Sequence, residues 1–397
     1  MPASWDFEAA RLAGGTYDRP YFELFEWGRI EHLPGQYDFS ETDKYVRRAQ
    51  EYGMHILANI QPFASWDQTK CHSDLTATTG LGGGGPTMTR GKPCNMERYR
   101  TFVMRLVERY DGDGVDDMPG LRVPIKHWEM MNEPEFQTPP LVFFQGSSAD
   151  YLETLKVTWE AVKKADTEAV VVQGGMAGMM EECVRFWQGV FDLGGGEYFD
   201  IANMHSIGHG EHLNIPAFKQ FLSRNRLQDK PVWVTEVQFQ QARETQVFSA
   251  EEFARILTRS YIFALANDVD KLFYVNIRLP PVRHGVPFDE RSALIRDNGE
   301  KAPLFYAHQT VARLLGDFEA GDRAVILHEK VGPWHIEEGQ YRFSVKGRTV
   351  YALFGSGVLP SELNGKVRVT DISGLSRIVE ASSVRLTDSP IFVEQLS

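Results

Sequence analysis

Short apolar segments alternate with longer amphipathic segments between residues 20 and 310, and this alternation constrains the fold more than any other feature. The apolar segment His55–Ile60 is followed by the amphipathic segment Met96–Tyr110, and Ile125–Met131 is followed by Asp150–Lys164. Near-continuous apolar strands that alternate with helices are typical of a parallel sheet covered by helices. A repeat of about 30–40 residues for each strand and its helix predicts a (β/α)8 TIM barrel.

The pattern is one strand short of a complete barrel. We place the first strand at Tyr21–Trp27. The pattern then contains about seven strand–helix units, whereas a complete barrel has eight. The segment before that strand, 5–13, has a helical pattern. We therefore expect a barrel whose first strand is missing or atypical.

From about residue 318 the pattern changes to short segments in which apolar and polar residues alternate, such as Tyr341–Val345 and Thr349–Phe354. Glycine, proline, asparagine and aspartate separate these segments, and this arrangement is typical of antiparallel strands. The sequence predicts a barrel domain over 1–317 and a small C-terminal β-sandwich over 318–397.

The charge and hydropathy of the chain exclude several classes of partner. The sequence has 42 Lys and Arg against 54 Asp and Glu, a net charge of −12, and no basic cluster. Nucleic acid is disfavoured, because its phosphates require a positive surface. No apolar run approaches the roughly 18–20 residues that cross a bilayer. The first residues lack a signal-peptide pattern, which leaves a cytoplasmic location or a secreted protein whose leader is absent.

Two of the three cysteines, Cys71 and Cys94, flank a glycine-rich stretch, Gly80–Gly85. They could close that loop as a disulfide, or remain two buried thiols. The stretch matches G-x-G-x-x-G, but no strand precedes it and no helix follows. We therefore expect a mobile loop there and no dinucleotide cofactor.

Two glutamates stand where predicted strands end. Glu133 follows the strand Ile125–Met131, and Glu236 follows the strand Val232–Thr235. The carboxyl ends of all strands meet at one mouth of a parallel barrel, where active sites lie. Either glutamate alone could form a salt bridge. Two carboxyl groups at one mouth favour cleavage of a glycosidic bond, since one protonates the leaving oxygen and the other attacks the anomeric carbon or activates water.

Two sequence motifs resemble the clan A retaining glycoside hydrolases, most of all families 39 and 5. One is Asn132-Glu133-Pro134, with Glu236 closing a later strand. The other, Trp27–Asp43, is similar to the signature W-x-x-I-E-x-x-x-G-x-Y-D-F-x-x-x-D. The resemblance extends over 20–310. It implies a (β/α)8 enzyme that hydrolyses a β-linked oligosaccharide or polysaccharide without a cofactor.

The resemblance also implies roles for individual residues. Glu133 would be the acid/base and Glu236 the nucleophile of a double displacement through a glycosyl-enzyme intermediate. Asn132 would bind the 2-hydroxyl of the sugar, and His205 would support the nucleophile. A purely structural role is the alternative for His205.

Gln61 and Trp66, which follow the strand His55–Ile60, are candidate sugar ligands. Gln61 would form a hydrogen bond to the sugar, and Trp66 would be a stacking platform. Glu129 faces the same side of its strand as Glu133 but lies deeper, so we expect an ion pair for it.

Two features depart from the family pattern. The last barrel strand, 271–277, lacks the tryptophan that usually lies under the sugar, so Tyr274, Asn276 or Arg278 would take its place. The arginine common on the second strand has no clear counterpart, because Arg19 lies eight residues before Trp27.

Two alternative functions remain. His205, His209 and His212, with Glu211, are dense enough to bind zinc, as a zinc-dependent barrel hydrolase would require. A sugar-binding barrel without catalysis is the other, which the presence of both glutamates disfavours. We expect a carbohydrate partner and no metal.

Overall fold

The computed structural model describes residues 6–78, 87–208, 210–239, 248–275, 277–278, 290–316 and 324–396. The chain divides into two compact units. The first comprises Met1–Phe7, Thr16–His205 and Gln220–Thr235, and the second comprises Glu8–Gly15, Ser206–Lys219 and Glu236–Ser397. The domain boundary expected at residue 317 stays a prediction.

Seven strands of the described residues follow the predicted alternation. They are Tyr17–Asp18, His55–Ile60, His127–Met130, Val170–Val172, Ala202–Ile207, Val232–Gln238 and Val269–Tyr274. The first four are neighbours in chain order in one sheet, and the last three in another. A parallel bridge between Val172 and Ile201 joins consecutive strands of the two sheets. The predicted alternation of strands and helices is thus confirmed, and the described residues contain seven such strands against the eight of a complete barrel.

Helices separate these strands as expected. The longer ones are Phe7–Leu12, Ser40–Glu51, Met96–Glu108, Ser148–Ala165, Glu181–Asp192, Ile215–Arg224, Ala250–Ala266 and Pro303–Leu315. Short helical turns lie at Phe22–Phe25, Trp27–Ile30, Ser65–Gln68, Gly195–Glu197, Glu290–Ser292 and Ala381–Ser383. Within the described residues, none of the helices combines the length and the apolar character that a membrane span needs.

The predicted strand Tyr21–Trp27 is wrong. The segment forms a 3-10 turn at Phe22–Phe25 followed by the short helix Trp27–Ile30. The strand lies earlier, at Tyr17–Asp18, where Tyr17 pairs in parallel with His55. A short apolar run cannot be assigned to a strand or a buried turn by its periodicity, and this one covers the end of the neighbouring strand.

The signature around Trp27 builds a turn. The Trp27 indole nitrogen donates to Glu31 Oε2 at 2.6 Å, and the Gly35 amide donates to Glu31 Oε1 at 2.5 Å. Arg98 Nη1 lies 3.2 Å from the same carboxylate. Gly35 has a φ of 83°, a conformation that favours glycine. The signature glutamate is therefore a structural anchor for the loop that precedes the helix Ser40–Glu51.

The C-terminal residues form a six-stranded antiparallel sheet, which confirms the predicted antiparallel region. Its spatial order is Val325–Val331, Ile336–Val345, Arg348–Phe354, Ile391–Gln395, Lys366–Asp371 and Ser376–Glu380. One face buries a cluster around Leu353, Val367 and Val393. The described residues of this region form one continuous antiparallel sheet, whereas a sandwich consists of two packed sheets. Two smaller hairpins pair Glu31–Leu33 with Gln36–Tyr37 and Gln137–Thr138 with Leu141–Val142.

Cys71 and Cys94 form a disulfide, so the first of the two alternatives for these residues holds. Cys183 is a buried free thiol. The stretch Gly80–Gly85, for which a mobile loop is expected, lies outside the described residues.

Candidate active site

Glu133 follows the strand His127–Met130 on an unusual stretch of backbone. Met131 has a φ of 65° and Glu133 a φ of 42°, both in the left-handed region that non-glycine residues rarely adopt. The Glu133 amide donates to the carbonyl of Gly175 at 3.2 Å, which ties the bend to the next strand end. Strained non-glycine residues cluster at functional sites, where the surrounding structure holds them in place.

The Glu133 carboxyl is buried and shares a hydrogen bond with His205, whose Nδ1 lies 2.7 Å from Glu133 Oε1. Burial raises the pKa of Glu133 to about 8, because a charged carboxylate loses its hydration there. The positive charge of Arg19 opposes this shift, and the negative charge of Glu129 adds to it. The carboxyl therefore carries a proton at neutral pH, as a general acid must.

His205 is fixed from both sides of its ring. Its Nε2 lies 3.1 Å from Thr235 Oγ1, and the Thr235 hydroxyl is also 2.9 Å from Asn203 Oδ1, to which it donates. With its proton so directed, Thr235 accepts a hydrogen bond from Nε2, and Nδ1 of the neutral ring is then the acceptor for protonated Glu133. A Cβ on Gly175 would lie 1.9 Å from His205 Nε2, so only glycine permits this packing.

Arg19 connects the strand ends directly below Glu133. Its Nε donates to Glu129 Oε2 at 2.5 Å, and its Nη2 donates to Asn132 Oδ1 at 2.7 Å. Arg19 has no clear family counterpart by its spacing from Trp27. In the structure it directly follows the strand Tyr17–Asp18.

Glu129 accepts hydrogen bonds from several strands. Besides Arg19, the amides of Asn59 and Asn203 each donate to it at 2.8 Å, and Thr235 Oγ1 lies at 3.3 Å. Its side chain is fully buried. The ion pair predicted for Glu129 is present, and it forms the centre of a polar network inside the barrel.

Glu236 belongs to the strand Val232–Gln238, which runs three residues further than predicted. It directly follows Thr235, the residue that His205 contacts, and it is half-buried. The assignment of Glu236 as nucleophile stays a prediction.

The two candidates beyond the strand His55–Ile60 differ in their surroundings. Gln61 is buried, and its Nε2 donates to Asn59 Oδ1 within the polar network. The Trp66 indole donates to the carbonyl of Glu31 at 2.9 Å, and its ring lies edge-on to Trp27. Trp66 therefore packs against the signature turn, and its role as a sugar platform stays a prediction.

The candidates of the last barrel strand are described in part. The Tyr274 hydroxyl donates to the carbonyl of Ser292 at 2.5 Å. Arg278 is exposed, with Nη1 3.5 Å from the carbonyl of Arg296. Asn276 lies outside the described residues.

The histidines considered for zinc have other partners. His212 Nε2 lies 2.9 Å from the carbonyl of Pro333, and its Nδ1 accepts from the Asn214 amide. Both ring nitrogens of His205 are also engaged. Glu211 forms an ion pair with Arg259, whose Nη2 is 2.5 Å away. His209 lies outside the described residues. These contacts disfavour a zinc site built from this cluster.

Glu135 is a buried residue close to Glu133 in the chain, and no sequence motif assigned it a role. It accepts from the Ala177 amide at 2.6 Å and from the Trp187 indole at 3.2 Å. Burial, together with the nearby Glu133, raises the pKa of Glu135 to about 8. It anchors the loop that carries Glu133 to the loop after the strand Val170–Val172. Its position two residues after Glu133 was the available signal.

No protein-family model and no curated protein sequence matches the chain. Solved structures are similar to it in fold. A family 39 glycoside hydrolase from the gut symbiont Bacteroides cellulosilyticus WH2 is 18% identical, with 98% of this chain and 77% of that chain covered and a TM-score of 0.67. A glucosidase from Croceicoccus marinus is 15% identical, with 98% and 92% covered and a TM-score of 0.66.

Xylanase 10B from Thermotoga maritima is 14% identical, with 79% of this chain and 91% of that chain covered and a TM-score of 0.53. These three neighbours are all named as enzymes that cleave glycosides. The chain therefore has the fold of the clan A glycoside hydrolases, a (β/α)8-type barrel followed by an antiparallel sheet, and the resemblance seen in its motifs is confirmed at the level of the fold.

Proposed function

We propose that this protein is a retaining β-glycoside hydrolase that acts on β-linked oligosaccharides or polysaccharides. Glu133 is the acid/base and Glu236 is the nucleophile. The observation that carries the proposal is the environment of Glu133, a buried carboxyl at a strand end with a pKa raised to about 8 and one oxygen held by His205. A buried carboxyl that keeps its proton at a strand end, with one oxygen held by His205, is suited to proton donation to a leaving group.

In the first step, Glu133 donates its proton to the glycosidic oxygen while Glu236 attacks the anomeric carbon. The bond to the leaving group breaks, and a glycosyl ester of Glu236 forms. Since His205 holds Oε1, the other oxygen of Glu133 is the one that faces no hydrogen-bonding partner among the described residues. That oxygen delivers the proton.

In the second step, Glu133 is the base. Its carboxylate removes a proton from water, and the oxygen of that water attacks the anomeric carbon and displaces Glu236. Arg19 holds Asn132 by a hydrogen bond of 2.7 Å. Asn132 can therefore present its amide to the 2-hydroxyl with little reorganisation, and such contacts strengthen in the transition state.

The substrate class follows from the neighbours and the charge. The neighbours include a glucosidase and a xylanase, which supports a neutral gluco- or xylo-configured glycan. A net charge of −12 also fits an uncharged substrate better than an acidic one.

Azide rescue tests both assignments. With an activated aryl β-glycoside, Glu236→Gly should be slow and recover with azide, giving the α-glycosyl azide because azide enters from the face that Glu236 vacates. Glu133→Ala should still form the glycosyl ester, and azide should then release the β-glycosyl azide. A β-azide from Glu236→Gly would overturn retention through Glu236.

Glu135→Gln is the matched control, since Glu135 is also buried and also has its pKa raised to about 8. This variant should yield no glycosyl azide of either configuration. Wild-type protein that binds glycans but turns over no member of a panel of aryl β-glycosides would contradict the proposed activity.

A further inference from the structure

Glu26 and Arg90 form a buried pair of charged side chains that the reaction above does not use. Their side chains are only 2% and 6% exposed, and Arg90 Nη1 lies 3.7 Å from Glu26 Oε2. This separation permits an ion pair but is too long for a hydrogen bond. Within the described residues, Glu26 Oε1 and Arg90 Nε have no hydrogen-bond partner. Buried polar atoms of this kind are uncommon in folded proteins, and each requires an explanation.

The backbone indicates where Glu26 points. Glu26 forms a parallel bridge with Gln61, and directly paired residues of parallel strands carry their side chains on the same face. The Gln61 side chain donates to Asn59, which in turn donates to Glu129 in the polar network of the barrel interior. Glu26 therefore faces the interior. It lies level with Gln61, which is two residues, or about 6–7 Å along the strand, beyond Asn59.

Arg90 is held in place by the loops around it. The backbone N–H of Arg90 donates to Gln145 Oε1 at 2.8 Å, and the backbone N–H of Gln145 donates to the Arg90 carbonyl oxygen at 2.8 Å. Its guanidinium lies 5.2 Å from the centre of the Phe63 ring. Gln145 belongs to the loop after Glu133 and Phe63 to the loop after His55–Ile60. The guanidinium is thus fixed beside Glu26 at the carboxyl-end mouth of the strands.

A carboxylate and a guanidinium placed side by side match the two halves of a hydroxyl group. The carboxylate accepts the hydroxyl proton and the guanidinium donates to the hydroxyl oxygen, so the pair can also hold two vicinal hydroxyls. Burial raises the pKa of Glu26 to about 7, and Arg90 opposes that shift. The combination suits an uncharged sugar, since Glu26 repels a sugar carboxylate while Arg90 repels a cation.

We propose that Glu26 and Arg90 bind hydroxyls of the β-linked sugar that are remote from the reacting carbon, and that they determine which sugar is accepted. This inference rests on the proposed glycosidase function. Asn132 and Glu26 flank the strand of Gln61 on its two sides, and neighbouring strands lie about 4.8 Å apart. Glu26 therefore lies about 10 Å from the residue assigned to the 2-hydroxyl, so it contacts different hydroxyls.

The test compares a substrate with analogues that lack one hydroxyl. The best aryl β-glycoside is first found in a panel, and its deoxy analogues are then assayed with wild type, Glu26→Gln and Glu26→Leu. We expect both substitutions to lower kcat/KM for the parent by at least about tenfold. For one remote deoxy analogue, the loss should be less than about threefold, because the hydroxyl that Glu26 binds is already missing.

Glu23→Gln is the matched control, since Glu23 is also buried in the same loop, and it should leave the ratio of parent to deoxy analogue unchanged. An equal loss on every substrate would reduce Glu26 to a structural residue and overturn the inference. So would wild-type kinetics in both Glu26 variants. If wild type turns over no glycoside, the proposed function fails, and binding of parent and deoxy glycosides to Glu133→Gln, with and without Glu26→Gln, still decides the hydroxyl contact.

Discussion

Two layers of the barrel interior treat a buried glutamate in opposite ways. In the lower layer, Glu129 pairs with Arg19 and accepts further hydrogen bonds from Asn59 and Asn203. In the upper layer, Glu133 is also buried, but its hydrogen bond to a side chain is the one with His205. Burial outweighs the opposing positive charge of Arg19 and raises the pKa of Glu133 to about 8.

The difference separates structural from chemical use of a carboxylate. A buried charge is tolerable when a cation and several donors replace its hydration, and such a group is inert. A carboxyl that lacks these partners keeps its proton and can donate it. The two residues are four positions apart in the chain, and Arg19 contacts the lower one directly. In the proposed mechanism, Glu129 is therefore a structural group and Glu133 is the proton donor.

Glu133→Gln should break the upper layer with the largest effect on activity. It removes the proton that the proposed mechanism delivers to the leaving group, so kcat for a glycoside with a poor leaving group should fall by about 10²–10⁴-fold. An aryl glycoside with an activated leaving group should lose much less in the first step. Kinetics on a series of leaving groups measure this. An equal loss across the series would show that Glu133 is not the acid.

Arg19→Met removes the ion pair of the lower layer and should lower the free energy of unfolding. Glu129 would remain buried without its cation, and such a loss costs about 3–5 kcal/mol. Urea denaturation measures the change in the free energy of unfolding. Lys44→Met removes one partner of an exposed ion pair with Glu41 and should cost less than about 1 kcal/mol. Similar losses for both variants would contradict the distinction between the two layers.

The sequence predicted the upper layer better than the lower one. Glu133 was identified because it follows an apolar strand, whereas the roles expected of Asn132 and His205 came from the family resemblance. Arg19 was missed, because a strand of two residues, Tyr17–Asp18, has no periodicity to recognise. The contact between His205 and Glu133 also could not be predicted, since it depends on the absence of a Cβ at Gly175 in a neighbouring strand end.

The fold was predictable where segments were long. Helices such as Met96–Glu108 carry a continuous apolar stripe and were placed within two residues of their observed bounds. The segment Tyr21–Trp27 was misassigned, since its backbone forms a 3-10 turn followed by the start of a short helix. Tertiary contacts, such as the bond between Trp27 and Glu31, decide the conformation of such short pieces.

Glu133→Gln should also change how the stability of the protein depends on pH. The pKa of Glu133 is raised from the usual 4.5 to about 8 in the folded state, so folded protein binds more protons than unfolded protein between these values. The contribution of Glu133 to stability is therefore full below pH 4.5 and is lost as the pH rises towards 8. The variant should gain stability over wild type at pH 8, by about 1–3 kcal/mol, and little at pH 4.5. A gain that does not change with pH would contradict this explanation.

The smallest effect tests whether the layers are electrically coupled. The alkaline limb of kcat/KM reports the pKa of the acid in the free enzyme, so wild type should lose activity near pH 8. Glu129→Gln removes a negative charge that raises the pKa of Glu133, and the limb should move to lower pH. Arg19→Met removes a positive charge that lowers it, and the limb should move to higher pH. Each shift should be less than about one pH unit, because both charges act on Glu133 through space and not through a direct hydrogen bond. General damage to the fold would shift the alkaline limb in the same direction in both variants, or in neither. Shifts of opposite sign are therefore explained only by electrostatic coupling between the layers.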